Sequence, residues 1–165
     1  MEKRALEKED WRELRQIRLH ALKSHPEVYG SNFSDENART DQQWKDFIES
    51  TSMHVCGAFH QTTLVGIAAA YDWRPDESKK TACLGMWYIM PEHRGGGHFL
   101  DLVKLTVAWA KAQEQYDRIV VSHREGNDLS KAVNQKLGFQ YFMSRKDTWP
   151  DGQTADNHFY ELRIR

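Results

Sequence analysis

The sequence predicts a mixed α/β (α+β) fold, with helices on both faces of a mostly antiparallel sheet of about six or seven strands. Three observations lead to this class. Apolar residues recur at helical spacing near the amino end, in residues 7–24 and 40–50. Residues 53–90 form short runs of β-branched and aromatic residues separated by turn-like segments. From residue 98 onward, helical and strand-like segments alternate.

The first elements in the chain are a short strand and two helices. Residues 3–6 are a strand candidate, and residues 7–24 predict a helix that ends before Pro26, because the residue before a proline avoids helical geometry. The next stretch is rich in glycine, serine and asparagine and predicts a loop or a broken helix. Thr40, with Gln43 three residues later, has the pattern of a capping box and opens the second helix.

The middle of the chain predicts three antiparallel strands followed by a crossover. The strands are MHVCGAFH, TTLVGIAAAYDW and TACLGMWYIM, joined by QT and RPDESKK. After three glycines, residues 98–115 predict a helix of about five turns. The next strand, RIVVSH, should pair in parallel with TACLGMWYIM, because the two flank one crossover helix. NDLSKAVNQKLGF predicts a helix ending at Gly138, and two strands joined by the turn WPDG follow.

Composition excludes several classes of function. The 23 basic and 24 acidic residues give a net charge of -1, which argues against a nucleic-acid surface. No apolar run is long enough to span a membrane, so no membrane partner is expected. Cys56 and Cys83 form no CxxC pair, so neither a disulfide framework nor a metal site is expected. Two free thiols and an opening without the apolar segment of a signal peptide predict a cytoplasmic protein. Without repeats or a linker, residues 1–165 are expected to form a single domain.

The segment PEHRGGGHF, residues 91–99, joins a predicted strand to a predicted helix and contains three consecutive glycines. Glycine is costly to order, so the triplet is either a simple strand-to-helix turn or a cradle for an anion. In a cradle, backbone N–H groups and the helix amino end would bind phosphate oxygens. No GK[ST] follows the glycines, so the P-loop pattern does not fit. The strands before the glycines are predicted to be antiparallel, so the Rossmann pattern does not fit either. An unrelated phosphate- or nucleotide-binding protein remains an alternative.

A third pattern fits the glycines. YIMPEHRGGGHF resembles the pyrophosphate loop of the GNAT superfamily of acyl-CoA-dependent N-acyltransferases, whose signature is [R/Q]-x-x-G-x-[G/A]. Arg94 and Gly97 match that signature, whereas Phe99 stands where the family has glycine or alanine. NDLSKAVNQKLGF is similar to the family's N-x-x-A-x-x-L-Y-E-K-L-G-F, and IRLHALKSHPEVYGSN is similar to the family's first helix and loop. The resemblance covers most of the chain.

The resemblance implies a GNAT fold whose central parallel strands splay at the site of acetyl-CoA, the expected cosubstrate. The backbone of the strand at Ile89 would pair with the pantetheine arm, and Asn127 would hydrogen-bond to that arm, although Asn127 also suits an N-cap. The expected contacts with the pyrophosphate are Arg94, Gly95, Gly96, Gly97, His98 and Phe99.

Acetyl transfer to an amine requires a proton acceptor and a donor to the leaving thiolate. Many members of the family place a tyrosine on the last helix as that donor, and this chain has Asn134 there, which can donate a hydrogen bond but cannot release a proton. His123 and Glu125 are candidate proton acceptors near a strand end. Tyr88 is a further candidate, either as acceptor or as donor to the thiolate.

The resemblance predicts an N-acetyltransferase that moves an acetyl group from acetyl-CoA to a primary amine by direct attack in a ternary complex. The alternative is a weak or inactive acyl-CoA-binding domain, which Asn134 and Phe99 favour. The acceptor would be a small amine or a peptide, and a homodimer is common in the superfamily. Aromatic residues in predicted loops are candidates for the acceptor site, namely Tyr29, Phe33, Trp73 and Trp149.

Overall fold

The computed structural model describes residues 1–165 and contains seven strands and five α-helices. The strands are β1 (Glu2–Ala5), β2 (Met53–His60), β3 (Thr63–Asp72), β4 (Thr81–Ile89), β5 (Arg118–Arg124), β6 (Gln140–Thr148) and β7 (Thr154–Arg163). The helices are α1 (Trp11–Ser24), α2 (Phe33–Asn37), α3 (Asp41–Glu49), α4 (His98–Ala112) and α5 (Asp128–Lys136). No helix combines the length and the apolar character that crossing a membrane requires.

All seven strands form one sheet in the order β1-β2-β3-β4-β5-β7-β6. Every neighbouring pair is antiparallel except β4 and β5, which are parallel and flank the crossover helix α4. The predicted mixed and mostly antiparallel fold with a central parallel pair is therefore confirmed.

The sheet carries one apolar core on each face. On one face, Leu102, Val103 and Val107 of α4 pack against small residues of the central strands. On the other face, α1 and α3 contribute Leu14, Ile17 and Trp44, which are at most 2% exposed. We call these faces the α4 face and the α1 face.

The structure decides between the two predictions for one helical segment and shortens another helix. The stretch rich in glycine, serine and asparagine contains the short helix α2, which Asn32 caps by accepting a hydrogen bond from the backbone N–H of Asp35 at 2.8 Å. Helix α4 has 15 residues, about four turns rather than five. Beyond it the chain turns inward, because the buried Tyr116 donates its hydroxyl hydrogen bond to Asp72 at 2.6 Å.

The predicted capping box of α3 is confirmed. The Thr40 hydroxyl accepts a hydrogen bond from the backbone N–H of Gln43 at 3.1 Å, and the Gln43 side chain accepts one from the backbone N–H of Thr40 at 2.8 Å. These two bonds satisfy backbone donors that the first turn of a helix leaves without partners.

Strand β4 contains a bulge that decides which side chains face each helix layer. Met86 has a φ of 56°. Leu84 and Trp87 both pack on the α4 face although they are three residues apart, and Met86 and Tyr88 pack on the α1 face. The bulge thus shifts the alternation by one residue, which places Trp87 under α4 and Tyr88 under α1.

Candidate active site

A gap opens in the middle of the sheet, between β4 and β5. The two strands share only three residue pairs, and the last joins Cys83 to Val120. Beyond that pair, β4 remains paired with β3 as far as Ile89, and β5 remains paired with β7 as far as Arg124. We call the space between residues 84–89 and residues 121–124 the notch. One backbone edge of each strand faces it without a strand partner.

On the β4 side of the notch, two backbone carbonyl groups accept hydrogen bonds from side chains. The backbone N–H and C=O groups of Tyr88 and Met90 point to β3. Because these groups alternate along a strand, the carbonyl oxygens of Trp87 and Ile89 point to the notch. The Tyr29 hydroxyl donates to the Trp87 oxygen at 2.9 Å, and Nε of Arg94 donates to the Ile89 oxygen at 3.1 Å. Residues predicted for the acceptor side and the coenzyme side therefore meet on one strand edge.

The predicted glycine turn lies directly beyond the end of β4 and leads into α4. Gly95 and Gly97 have φ values of 90° and 75°, which favour glycine, and Gly97 is the N-cap of α4. A Cβ at either position would meet no atom within 4 Å, so open space borders the turn. The His98 ring lies beside Gly96. Phe99 packs against Trp87 in the α4 core, with ring centroids 5.7 Å apart, rather than over the glycines.

Helix α5 places two asparagines near the β5 side of the site. Asn127 accepts a hydrogen bond from the backbone N–H of Ser130 at 3.2 Å and is the N-cap of α5, as one of its two predicted roles requires. Asn134 is 0% exposed, and neither its Oδ1 nor its Nδ2 has a hydrogen-bond partner. A buried amide without partners is costly, typically about 1–3 kcal/mol. The indole N–H of Trp87 is also buried without a partner.

His123 lies near the end of β5 and is largely buried. Its Nδ1 is 2.9 Å from the carbonyl oxygen of Arg124, and because a carbonyl only accepts, Nδ1 carries the proton. Nε2 lies 3.5 Å from the Tyr160 hydroxyl. It carries no proton and can therefore accept a proton. Burial lowers the pKa of His123, so the imidazole is neutral at pH 7.

The pocket beside His123 has a volume of about 330 Å³ and contains a second histidine. His158 hydrogen-bonds through Nε2 to the Glu125 carboxylate and lies 2.6 Å from the Ser144 hydroxyl through Nδ1. The hydrogen bond from His158 lowers the pKa of Glu125, which makes this carboxylate a weaker base. His123 is therefore better suited than Glu125 to accept a proton at neutral pH.

Tyr88 and the two cysteines are further titratable groups of the central strands. The Tyr88 hydroxyl is buried without a partner on the α1 face, and burial raises its pKa. Cys83 is half-buried. Burial raises the pKa of Cys83 and of Cys56 to about 11, so neither is a thiolate at pH 7.

Two of the four aromatic residues predicted for the acceptor site are not exposed. Tyr29 and Trp149 are buried, which contradicts the premise that they are open loop residues. The hydrogen bond to Trp87 draws Tyr29 inward, and the indole N–H of Trp149 donates to the Ala155 oxygen at 3.2 Å. Phe33 begins α2 and is 36% exposed. Trp73 is half-buried, 6.4 Å from the Phe159 ring.

Arg124 is a site residue that sequence analysis missed. Its Nη1 donates to the carbonyl oxygen of Glu27 at 3.0 Å and to the Asp151 carboxylate at 2.7 Å. Its Nη2 donates to Gln153 at 3.2 Å. An arginine at a strand end suggests only a solvated charge, and nothing in the local sequence points to partners 97 and 27 residues away.

Comparison with known proteins identifies the family. A family model described as "Acetyltransferase (GNAT) domain" matches residues 4–140. No curated protein matches the chain in sequence.

Solved structures share the fold at low sequence identity. yncA from Salmonella typhimurium, solved with its cofactor acetyl-CoA, aligns with a TM-score of 0.83 at 19% identity, over 100% of this chain and 94% of its own. A GNAT-family acetyltransferase from Streptococcus pneumoniae aligns with a TM-score of 0.85 at 18% identity, over 99% of both chains. A ribosomal-protein-alanine N-acetyltransferase from Brucella melitensis aligns with a TM-score of 0.82 at 21% identity, again over 99% of both chains. Because the family model spans most of the sequence and the fold agrees throughout, the chain belongs to the GNAT acetyltransferase family.

Proposed function

We propose that the protein is an acetyl-CoA-dependent N-acetyltransferase that acetylates a primary amine by direct attack in a ternary complex, with residues 1–165 acting as one domain. The observation that carries this proposal is the notch itself. Two parallel strands separate after three residue pairs, and the edge of one of them leads into a glycine turn at the start of a 15-residue helix.

The residues around the notch fit the chemistry of a coenzyme A thioester. Backbone N–H groups of residues 95–99 and the amino end of α4 suit the negative charge of a pyrophosphate. Open space beside Gly95 and Gly97 permits a close approach of phosphate oxygens to the backbone. Arg94 adds a positive charge, and the backbone edge at Ile89 suits the amide groups of the pantetheine arm. Acetyl-CoA, when bound, supplies the acetyl group as a thioester.

The amine must lose a proton before or during its attack, since an alkylammonium has a pKa of about 10.4. We assign this task to Nε2 of His123 acting through a water molecule in the notch, because the neutral imidazole holds its proton on Nδ1 and its side chain, like that of Val121, points to the α4 face. A positioned general base typically contributes about 10²–10⁴-fold to the rate. The Tyr88 hydroxyl, buried without a partner, is a second candidate for contact with the reacting groups.

The leaving thiolate needs less assistance, because a thiol has an ordinary pKa of about 8.5. Asn134 occupies the helix position at which many members of the family have a tyrosine. Its buried amide has no partner in the protein, so Nδ2 is available to donate a hydrogen bond to the sulfur. Positioning of the two reactants can supply effective molarities of about 10⁵–10⁸ M, so the reaction does not depend on a proton donor at this position.

The proposal is tested by measuring the release of free thiol from acetyl-CoA with and without a panel of primary amines. We expect release that depends on both the amine and the enzyme, with mass spectrometry detecting the acetylated amine. Binding of acetyl-CoA without turnover of any amine would instead support the alternative, a catalytically inactive acyl-CoA-binding domain, which the replacement of the usual tyrosine by Asn134 favours.

A further inference from the structure

The loop between α1 and α2, residues 25–32, crosses the notch on the α1 face. On the β4 side, the Tyr29 hydroxyl donates to the Trp87 carbonyl oxygen at 2.9 Å. On the β5 side, the Glu27 carbonyl oxygen accepts from Nη1 of Arg124 at 3.0 Å. The pair Cys83–Val120 closes the other end of the notch. The loop, the two strands and this residue pair therefore form a closed ring around the notch, and we call this ring the frame.

Arg124 also fastens the turn between β6 and β7 to this frame. The same Nη1 donates to the Asp151 carboxylate, Nη2 donates to Gln153, and the guanidinium carbon lies 5.3 Å from the centre of the Trp149 ring. The arginine side chain is only 11% exposed. One guanidinium thus holds two loops that are distant in sequence, a task that its planar set of donors performs better than an ammonium group.

The frame lies where an acceptor would enter. Side chains along a strand alternate between its two faces, and Ile119 and Val121 of β5 point to the α4 face. Arg124 is an odd number of residues from both, so its side chain points to the α1 face. The glycine turn leading into α4 and the N-cap of α5 flank the notch from the other side. If the coenzyme binds there, the amine must approach from the α1 face, through the frame.

We propose that the frame selects small primary amines over amines carried by a polypeptide, and that Arg124 is the positioning residue that sets this selectivity. This inference rests on the proposed function. A small amine can pass end-on through the frame. A peptide must displace the loop between α1 and α2 or the turn between β6 and β7 to bring its amino group to the same depth. Displacement breaks the hydrogen bonds of Arg124, including one to a charged partner.

The test compares kcat/KM for three acceptors, namely propylamine, a lysine-free peptide with a free amino terminus, and an amino-blocked peptide with one internal lysine. The proteins are the wild type, Arg124→Ala and Arg145→Ala. Arg145 is a matched control, because it pairs with Asp147 inside the β6–β7 hairpin and contacts neither Glu27 nor Asp151. Thermal unfolding with and without acetyl-CoA checks that each variant is folded and binds the coenzyme.

We expect the wild type and Arg145→Ala to prefer propylamine. Arg124→Ala should reduce this preference by about tenfold or more, the effect of one hydrogen bond to a charged group. A ratio of this kind is insensitive to a uniform loss of folded enzyme. A wild-type preference for either peptide, or an unchanged ratio in Arg124→Ala, would overturn the selectivity while leaving the proposed function intact. Coenzyme binding without turnover of any acceptor would overturn both.

Discussion

Cys83 and Val120 form the last residue pair between β4 and β5, and the only parallel interface of the sheet ends there. Each strand continues beyond this point along its other neighbour, so the separation removes pairing on one edge only. The unpaired edge exposes backbone hydrogen-bonding groups that a continuous sheet would satisfy. Side chains satisfy two of them, at Trp87 and Ile89. The fold therefore builds the candidate site by leaving a sheet incomplete.

The glycine turn should be more important for coenzyme binding than for stability. Gly97→Ala places a side chain at a φ of 75° and in the open space beside the turn, so we expect a loss of about 1–2 kcal/mol in the free energy of unfolding and weaker binding of acetyl-CoA. Gly138→Ala is the control, since Gly138 has a φ of 80° and equally open surroundings at the far end of α5. Calorimetric titration measures the affinity of both variants for acetyl-CoA. Equal affinities would contradict a phosphate cradle at residues 95–99.

Asn134 should reduce the stability of the ligand-free protein and favour the reaction. Asn134→Leu removes a buried amide without partners, so we expect the free energy of unfolding to rise by about 1–3 kcal/mol. The rate of acetyl transfer should fall by about 10- to 100-fold, the effect of one hydrogen bond to a charged group.

A second asparagine is the control for Asn134. Asn157→Leu removes a partly buried hydrogen bond of 2.9 Å to Asp147 together with an Oδ1 that also has no partner, so it should raise the free energy of unfolding less than Asn134→Leu does and leave the transfer rate unchanged. Denaturant unfolding and thiol release measure the two effects in each variant. A rate in Asn134→Leu equal to that of the wild type would exclude a contact between Asn134 and the reacting sulfur.

His123 should be needed for transfer and not for coenzyme binding. We expect His123→Gln to lower kcat by about 10²–10⁴-fold, because glutamine cannot accept the amine proton. His54→Gln is the control, since burial also lowers the pKa of His54, which stacks on Trp109 with ring centroids 4.7 Å apart, away from the notch. Single-turnover kinetics at pH 7 would measure both variants, and an unchanged rate in His123→Gln would rule out this histidine as the base.

A buried ion pair should make stability depend on acidic pH. Burial alone would raise the pKa of Glu36, but two hydrogen bonds from Arg18, at 2.9 and 3.0 Å, outweigh it and hold the pKa below its ordinary value of 4.5. A lowered folded-state pKa stabilises the protein above pH 4.5, and this contribution is lost as the pH falls through the folded-state value. Glu36→Gln should cost about 3–5 kcal/mol at pH 7.

The difference in unfolding free energy between the wild type and Glu36→Gln should therefore shrink as the pH is lowered below 4.5. The control is Asp101→Asn, because Asp101 is 53% exposed and its ion pair with Lys3 spans 3.6 Å, so its loss should cost less than about 1 kcal/mol. Urea unfolding from pH 3 to pH 7 measures both differences. A difference that stays constant with pH would mean that Glu36 is not the charged partner of Arg18.

The succession of helices and strands along the chain, the parallel pair, the α3 capping box and the glycine turn could all be predicted from the sequence. Each depends on residues close together in the chain, whose spacing and turn chemistry leave a local pattern. Burial of Tyr29 could not be predicted, because it depends on a carbonyl oxygen 58 residues away. Glycine inside a strand often accompanies a bulge, so Gly85 is a sequence signal for the bulge at Met86, although it does not fix which side chains the bulge shifts. The N-cap role of Asn127 could be predicted, whereas the burial of Asn134 without partners could not, because it depends on the packing around α5.

The most direct test of the central claim, that the notch and glycine turn hold an acyl-CoA, is thermal unfolding with acetyl-CoA, free CoA or ATP. A ligand at 100 times its dissociation constant adds about 2.7 kcal/mol to the free energy of unfolding, which is readily seen as a higher melting temperature. We predict a rise with acetyl-CoA and with CoA, and none with ATP. No rise with either coenzyme, or an equal rise with ATP, would contradict the claim.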